Sequence, residues 1–327
     1  DTDTFNTAVG YGSGEALTTG VQNTLIGALA GDVLTDADFN TAIGVLALTS
    51  DTLGSRSTAM GYGALTTQNF TTATNTYNVA VGFNAGTAIT TGTHNTLIGS
   101  LSGDSLTTGG SNVALGFGAL ATEDVGQHNT AIGRDALATQ NTATAANIYN
   151  TAVGSSAGVA ITTGKENVII GGDAGKSMQT ANFCTLIGKG AGSGITTGAS
   201  NICIGLDSGV HGTSITTGSS NIIIGDSSNT SAVDSIRQIV FGADVTSVGN
   251  QTVTFGHVSS TVSISLDGSD TSWAAASDSR LKENVASASE GLALIGDLRP
   301  VNYNWKKAKD VPTGMTQYKE GSDEPAV

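Results

Sequence analysis

The stretch SDSRLKENV, residues 277–285, contains the two side chains of this sequence that are best suited to covalent chemistry. Ser277 is a weak nucleophile until a base removes its hydroxyl proton, and Lys282 is neutral enough to be that base if it is held away from water. Such a Ser–Lys dyad could cut its own chain, because self-cleavage needs one turnover and no substrate pocket. The spacing alone favours a simpler alternative, in which Ser277 lies in a turn and Lys282 is a solvated charge.

Most of the sequence before that stretch is a repeat. A five-residue motif, such as NTAIG at 40–44 and 129–133, occurs thirteen times, and its closing glycine runs from Gly10 to Gly225. Successive glycines lie 17 residues apart, except that every fourth step is 20 or 21 residues, which makes a superperiod of about 72 residues. A fixed short period predicts a solenoid, in which each coil contacts only its neighbours.

Each position of the motif has a restricted composition, and we number the positions 1 to 5. Position 1 is asparagine in eleven of thirteen copies, position 2 is β-branched, position 4 is apolar and position 5 is glycine. This pattern predicts a short strand with an asparagine ladder between coils. Positions 2 and 4 face one side of a strand and position 3 the other, and both sides are apolar. A thin solenoid has one interior, so the second apolar face predicts an obligate oligomer.

The composition changes near residue 272. All three prolines and both tryptophans lie at or beyond residue 273. We therefore predict a repeat β-roll shaft at 1–225, a β stalk at 226–272 and a small α+β segment at 273–327. The net charge of −14 disfavours nucleic-acid binding, and no apolar run is long enough for a membrane span. The first residue is Asp1 rather than methionine, so we expect a processed product or a segment of a longer protein.

The repeat resembles the N-x-A-I-G repeats in the head domains of trimeric autotransporter adhesins, and similar repeats in phage tail fibres. This resemblance implies left-handed parallel β-rolls assembled as trimers, with a longer turn here because the family repeat is shorter than 17 residues. The predicted fold class is therefore mainly β. It is a trimeric parallel β-solenoid of about thirteen 17-residue coils, followed by the stalk and the C-terminal segment.

The C-terminal stretch resembles the endosialidase-type intramolecular chaperone domain of phage tailspikes and tail fibres. SDSRLKENV at 277–285 and GLALIGDLRPVNYNW at 291–305 carry this resemblance, which reverses the preference for the simpler alternative. It implies that the domain drives trimerisation and then releases itself by cleavage before Ser277. Ser277 and Lys282 would be the catalytic residues, and Asp278 and Arg280 match the supporting positions of the motif. The family domain is longer, so we expect residues 273–327 to be the N-terminal part of a truncated chaperone.

Other side chains that could bind ligands are scattered or lie in loops. Cys184 and Cys203 fall in consecutive coils, too far apart for an unstrained disulfide, and we expect them to be buried as small apolar side chains. The four histidines lack metal-ligand spacing, so neither a metal nor a cofactor is predicted. The insertions at 66–77 and 138–149 are the expected protrusions, and their candidate receptor-facing residues are Phe70, Asn75, Tyr77, Asn147 and Tyr149.

These resemblances imply an extracellular virion protein, the structural shaft of a tail fibre or tailspike that takes part in host-cell attachment. The expected partners are two further copies of the chain, other tail proteins of the virion, and a host-surface glycan or protein receptor. Self-cleavage is the only catalysis expected. The open alternatives are a bacterial trimeric surface adhesin and a glycan-depolymerising tailspike. An ice-binding solenoid is disfavoured, because position 2 alternates threonine with valine and isoleucine as a packed face does.

Overall fold

The computed structural model describes residues 4–210, 212, 214–258, 260–268, 274–275, 307–311 and 320–324. The chain divides into two compact units, Asp1–Ala276 and Ser277–Val327. In the second unit, the described residues include a 3-10 helix at Ala308–Asp310. Most of the α+β segment predicted for this unit lies outside the described residues.

Short strands, one for each coil, form a ladder along the first unit. Motif positions 2 to 4 make a three-residue strand in each repeat, because β-branched residues favour extended backbone and the glycine at position 5 ends it. In chain order the strands are β1 (Thr7–Val9), β2 (Thr24–Ile26), β3 (Thr41–Ile43), β4 (Gly54–Ser55), β5 (Thr58–Met60), β6 (Thr74–Asn75), β7 (Val79–Val81), β8 (Thr96–Ile98), β9 (Val113–Leu115), β10 (Thr130–Ile132), β11 (Thr151–Val153), β12 (Val168–Ile170), β13 (Thr185–Ile187), β14 (Ile202–Ile204), β15 (Ile222–Ile224), β16 (Ile239–Ala243), β17 (Thr252–His257), β18 (Ser260–Ser265) and β19 (Ala274–Ala275).

Neighbouring coils pair in parallel, with equal motif positions side by side. Leu25 in β2 pairs with Ala42 in β3, for example. The same register crosses a 21-residue step, where Ala59 in β5 pairs with Ala80 in β7. The inserted residues therefore leave the main ladder unbroken, and β4 and β6 pair separately beside it. The predicted parallel β-solenoid is confirmed, with about 15 turns.

Motif position 3 fills the interior of the solenoid. Leu25, Ala42, Leu97 and Ile169 have no exposed surface, and the turn that follows each strand adds further buried leucines, such as Leu48. Burying one leucine side chain stabilises the folded chain by roughly 2 kcal/mol. A continuous row of buried apolar side chains thus holds each coil to its neighbours.

Motif position 5 is glycine because successive coils approach too closely there for a side chain. Gly44 has a φ of 141°, and a Cβ at this position would lie 2.3 Å from the carbonyl oxygen of Gly61. Any other residue would both strain the backbone and collide with the next coil. This close approach explains why the glycine recurs in every copy of the motif.

Motif position 1 forms the predicted asparagine ladder, and its side chains point into the coil. Asn95 Nδ2 donates to Asn78 Oδ1 at 3.3 Å and to the carbonyl oxygen of Gly109 at 2.9 Å. Asn95 Oδ1 in turn accepts the backbone N–H of Asn112 at 3.0 Å. These buried amides are hydrogen-bonded on both sides, so the ladder satisfies polar groups and fixes the register between coils.

The parallel ladder continues past residue 225, into the predicted stalk at 226–272. Strand β16 pairs in parallel with β15 and β17, and the rings of Phe241 and Phe255 stack with centroids 5.0 Å apart. Strand β18 then folds back antiparallel onto β17, and β19 pairs antiparallel with β18. The ladder therefore changes from parallel coils to antiparallel strands after His257.

Candidate functional site

The outward face of the ladder, formed by motif positions 2 and 4, carries an apolar side chain at every position 4 and is partly exposed in the single chain. Ile26, Met60 and Leu115 at position 4 are 37%, 39% and 45% exposed. Position 3 of the same strands has no exposed surface. Alternation along a strand sends the two sets of side chains to opposite sides. The fold thus buries one apolar set completely and leaves the other on the surface.

A second row of exposed side chains runs along the edge of this face. It consists of the residue before each of the thirteen motifs, continued by Arg237 and Gln251 ahead of β16 and β17. Every member has a positive φ, between 51° and 67°. The chain changes direction at this residue before it enters the strand. This turn requires a left-handed backbone conformation, although the residue is not glycine. We call it the corner row: Phe5, Gln22, Phe39, Arg56, Tyr77, His94, Ser111, His128, Tyr149, Glu166, Phe183, Ser200, Ser220, Arg237 and Gln251.

Side chains of the corner row contact one another from coil to coil. The guanidinium carbon of Arg56 lies 4.5 Å from the centroid of the Phe39 ring, within cation–π distance. The ring of Tyr77 packs on that of His94 with centroids 5.2 Å apart. The rings of His128 and Tyr149 stack with centroids 5.0 Å apart. At these three places, side chains of the corner row in neighbouring coils are ordered against each other on the surface.

A buried carboxylate anchors the first insertion. Asp51 accepts hydrogen bonds from the backbone N–H of Phe70 at 2.9 Å and from Gln68 Nε2 at 2.6 Å. Gln68 Oε1 accepts from Asn78 Nδ2 at 2.9 Å, so the carboxylate is joined to the asparagine ladder. Desolvation by burial raises the pKa of Asp51, and the hydrogen bonds from Phe70 and Gln68 partly oppose this rise.

The second insertion repeats this arrangement 72 residues later, with a glutamate in place of the aspartate. Glu123 accepts from Gln140 Nε2 at 2.8 Å, from the backbone N–H of Gly126 at 2.8 Å and from Thr142 Oγ1 at 2.7 Å. Gln140 Oε1 accepts from Asn150 Nδ2 at 2.8 Å. Each carboxylate accepts hydrogen bonds only, so it makes every amide of its ladder segment donate in the same direction.

Neither Asp51 nor Glu123 was among the site residues predicted from the sequence. Asp51 and Glu123 are separated by one superperiod, as are Gln68 and Gln140. That spacing was the signal that could have identified both networks. Neither carboxylate is exposed, so their arrangement is structural.

The five candidate receptor-facing residues do not share one environment. Tyr77 and Tyr149 are about half exposed, and Asn75 and Asn147 are exposed as well. The prediction that Phe70 faces a receptor is corrected, because only 7% of its surface is exposed. The buried Asp51 carboxylate accepts the Phe70 backbone N–H, so Phe70 is held at a buried position and does not face a receptor.

The predicted catalytic residues, Ser277 and Lys282, lie outside the described residues, as do Asp278 and Arg280. The Ser277–Lys282 dyad therefore stays a prediction. Cys184 and Cys203 are both buried and free, as expected, and burial raises the pKa of each thiol. Within the described part of the chain, no group of three or more His, Cys, Asp or Glu side chains could hold a metal ion.

The C-terminal unit provides the decisive comparison. Residues 277–319 match the family described as chaperone of endosialidase. No curated protein and no solved structure matches the chain. The β-solenoid and this segment together fit a tail-fibre or endosialidase-type protein. Over the described residues, no helix has both the length and the apolar character needed to cross a membrane.

Proposed function

We propose that the chain is the structural shaft of a virion tail fibre or tailspike, which acts outside the cell in host attachment. Three copies would assemble in parallel, with their outward faces packed against one another, and other tail proteins would hold the assembly on the virion. The outward face carries this proposal, because it presents apolar side chains at every coil. The match at 277–319 supports three copies, since this chaperone family is associated with trimers.

The size of the outward face favours assembly over a single chain. Thirteen coils at roughly 4.8 Å each extend for about 60 Å along the ladder. Monomeric soluble proteins rarely expose a contiguous apolar patch of more than a few hundred square ångströms. Burial of such a face between copies contributes roughly 25 cal/mol for each square ångström removed from water. Each coil contributes little to the free energy of assembly, but the contributions of all coils along the ladder add up to a large total.

The mass of the purified protein in solution tests the assembly. Sedimentation or mass photometry should give the mass of three copies. On a gel run in detergent, the protein should migrate as a trimer until the sample is heated. A well-folded solenoid of one copy would end the proposal. The trimer is expected to resist dissociation because all coils must separate together.

We further propose that the chaperone segment is released by cleavage between Ala276 and Ser277. The family match begins at Ser277, which supports this bond as the point of release. The Ser277 hydroxyl would attack the carbonyl carbon of Ala276, while Lys282 takes the hydroxyl proton and gives it to the Ser277 amine as the amide bond breaks. Water would then hydrolyse the resulting ester, which frees the carboxylate of Ala276 and restores the Ser277 hydroxyl. Packing in the trimer would desolvate Lys282 and favour its neutral form, so cleavage should follow assembly.

Self-cleavage is tested with a chain that carries a complete chaperone domain after residue 276. We expect a product that ends at Ala276, whereas Ser277→Ala and Lys282→Ala should each leave the chain whole and still trimeric. Ser279→Ala is the matched control and should be cut as the wild type is. Mass spectrometry of the products identifies the bond. Cleavage of the Ser277→Ala chain at the same bond would remove the dyad from the mechanism.

The family match also favours this proposal over a bacterial surface adhesin. Polysaccharide degradation by the purified fibre is the measurement that would favour a depolymerase instead.

A further inference from the structure

The corner row has a distinct composition between the two insertions. From Tyr77 to Tyr149 it contains, in successive coils, tyrosine, histidine, serine, histidine and tyrosine. Coils lie roughly 4.8 Å apart, so His94 and His128 are roughly 10 Å apart on either side of Ser111. The short serine side chain leaves a gap between the two imidazole rings, which we call the central slot.

A tyrosine ring lies behind each wall of the central slot. Tyr77 packs against His94, and Tyr149 packs against His128, with centroid distances of 5.2 and 5.0 Å. These distances are close to the coil spacing. The His128 and Tyr149 rings are 10° from parallel, and the Tyr77 and His94 rings are tilted by 34°. Each imidazole therefore turns its other face toward the slot. Thr93 Oγ1 also lies 3.0 Å from His94 Nδ1, which fixes the orientation of that ring.

Backbone hydrogen bonds hold the coils that form the slot. The N–H of Ser111 donates to the carbonyl oxygen of Thr93 at 2.9 Å, and the N–H of His128 donates to that of Gly110 at 3.2 Å. The walls are thus positioned before any ligand arrives. A ligand loses less free energy on binding to a site that is already ordered.

The groups around the slot are polar and mostly uncharged. Asn75 and Asn147 are exposed at its two ends, and Thr93 and Gln127 flank it. The net charge is −14, yet no aspartate or glutamate lies within two residues of the corner row in the coils from Tyr77 to Tyr149. This composition differs from the apolar outward face, so the slot is less suited to packing against another copy. Ring faces beside hydroxyl and amide groups suit a ligand with apolar faces and hydroxyl edges.

We propose that the central slot binds one pyranose residue of an oligosaccharide. The sugar ring would lie between the faces of His94 and His128, and its hydroxyls would bond to Ser111, Thr93 and Gln127. The neighbouring sugars would follow the corner row toward the two tyrosines. This inference rests on the proposed attachment function, for which it names the class of ligand and the residues that bind it.

The substitution Ser111→Phe tests the slot by filling it. Phe39 and Phe183 occupy the same corner one superperiod away on either side, with φ values of 60° and 59°, so the coil accepts phenylalanine. The purified protein is applied to an array of oligosaccharides that contain hexose, hexosamine, deoxy-sugar and uronic-acid units. We expect the wild type to bind at least one of them, and Ser111→Phe to bind it about tenfold more weakly or worse.

Ser200→Phe is the matched control, since Ser200 is a corner-row serine beyond the second insertion, with a φ of 57°. This variant should bind as the wild type does. The mass of each variant in solution is measured in parallel. Lost binding by Ser111→Phe at an unchanged mass supports the slot.

Three outcomes would overturn the inference: no glycan bound by the wild type, equal binding by the two variants, or a changed mass for Ser111→Phe. The changed mass would mean that the row contacts another copy. A single-copy wild type that binds glycan through the slot would overturn the proposed assembly and leave this inference standing.

Discussion

Leu97 and Leu115 are the same residue type in neighbouring coils, yet they lie on opposite sides of the ladder. Leu97 is at motif position 3 and has no exposed surface, whereas Leu115 is at position 4 and is 45% exposed. Both are apolar positions of one repeat. The comparison shows that folding buries one of the two apolar positions and leaves the other partly exposed in the single chain.

The largest effect is expected on the inward side, from Leu97→Asp. A carboxylate at this position would be buried without a partner, and the leucine packing would be lost. We expect the free energy of unfolding to fall by about 3 kcal/mol or more, with loss of the folded solenoid. Circular dichroism during denaturation measures the change. A stably folded Leu97→Asp protein would contradict the assignment of position 3 to the interior.

The matched change on the outward side, Leu115→Asp, should separate folding from assembly. The new charge lies on the face that we propose to be packed between copies, and symmetry introduces it into every copy at once. We expect folded single chains, seen as a lower mass in sedimentation with an unchanged circular dichroism spectrum. Ile132→Asp, at the same position in the next coil, should act in the same way. A trimer that survives both substitutions would place the interface on another face.

A smaller effect is expected inside the solenoid where the interior is polar. Glu123→Gln replaces an acceptor-only group by one that also carries an N–H₂, and both oxygens of Glu123 now face donors. The new N–H₂ group would then face one of these donors, which should lower the free energy of unfolding by about 1 to 3 kcal/mol. Denaturation of Glu123→Gln and of the exposed control Asn141→Ala measures the difference. Equal stability of the two variants would show that the carboxylate does not direct the ladder.

The smallest effect is a dependence on pH from Asp51. Burial raises its pKa in the folded chain, so the folded state holds the proton more tightly than the unfolded state. Its contribution to stability is therefore greatest below the ordinary aspartate pKa of about 3.9, and it is lost as the pH rises toward the raised value. The difference in unfolding midpoint between wild type and Asp51→Asn should fall across that window and be flat above it. A difference in midpoint that does not change with pH would contradict this role of Asp51.

The repeat made much of the fold predictable. A period of 17 residues with glycine at position 5 leaves little choice but a coil, because only glycine accepts the close approach seen between Gly44 and Gly61. The asparagine ladder was predictable for a similar reason, since identical amides stack at each step of a regular coil. Phe70 shows where this approach failed. Its position in an insertion indicated exposure, but the network around Asp51 turned its backbone inward.

The sequence by itself determined the coil, its period, the register between coils and the presence of two apolar faces, because each depends on residues that recur at fixed intervals. Only the tertiary structure decided which face is buried. The alternation of side chains along a strand shows that its two sides differ, but it does not show which side encloses the interior. It also placed His94, Ser111 and His128 at the same corner of successive coils and joined Gln68 to Asp51. These contacts join residues about 17 positions apart, and they become neighbours only when successive coils stack.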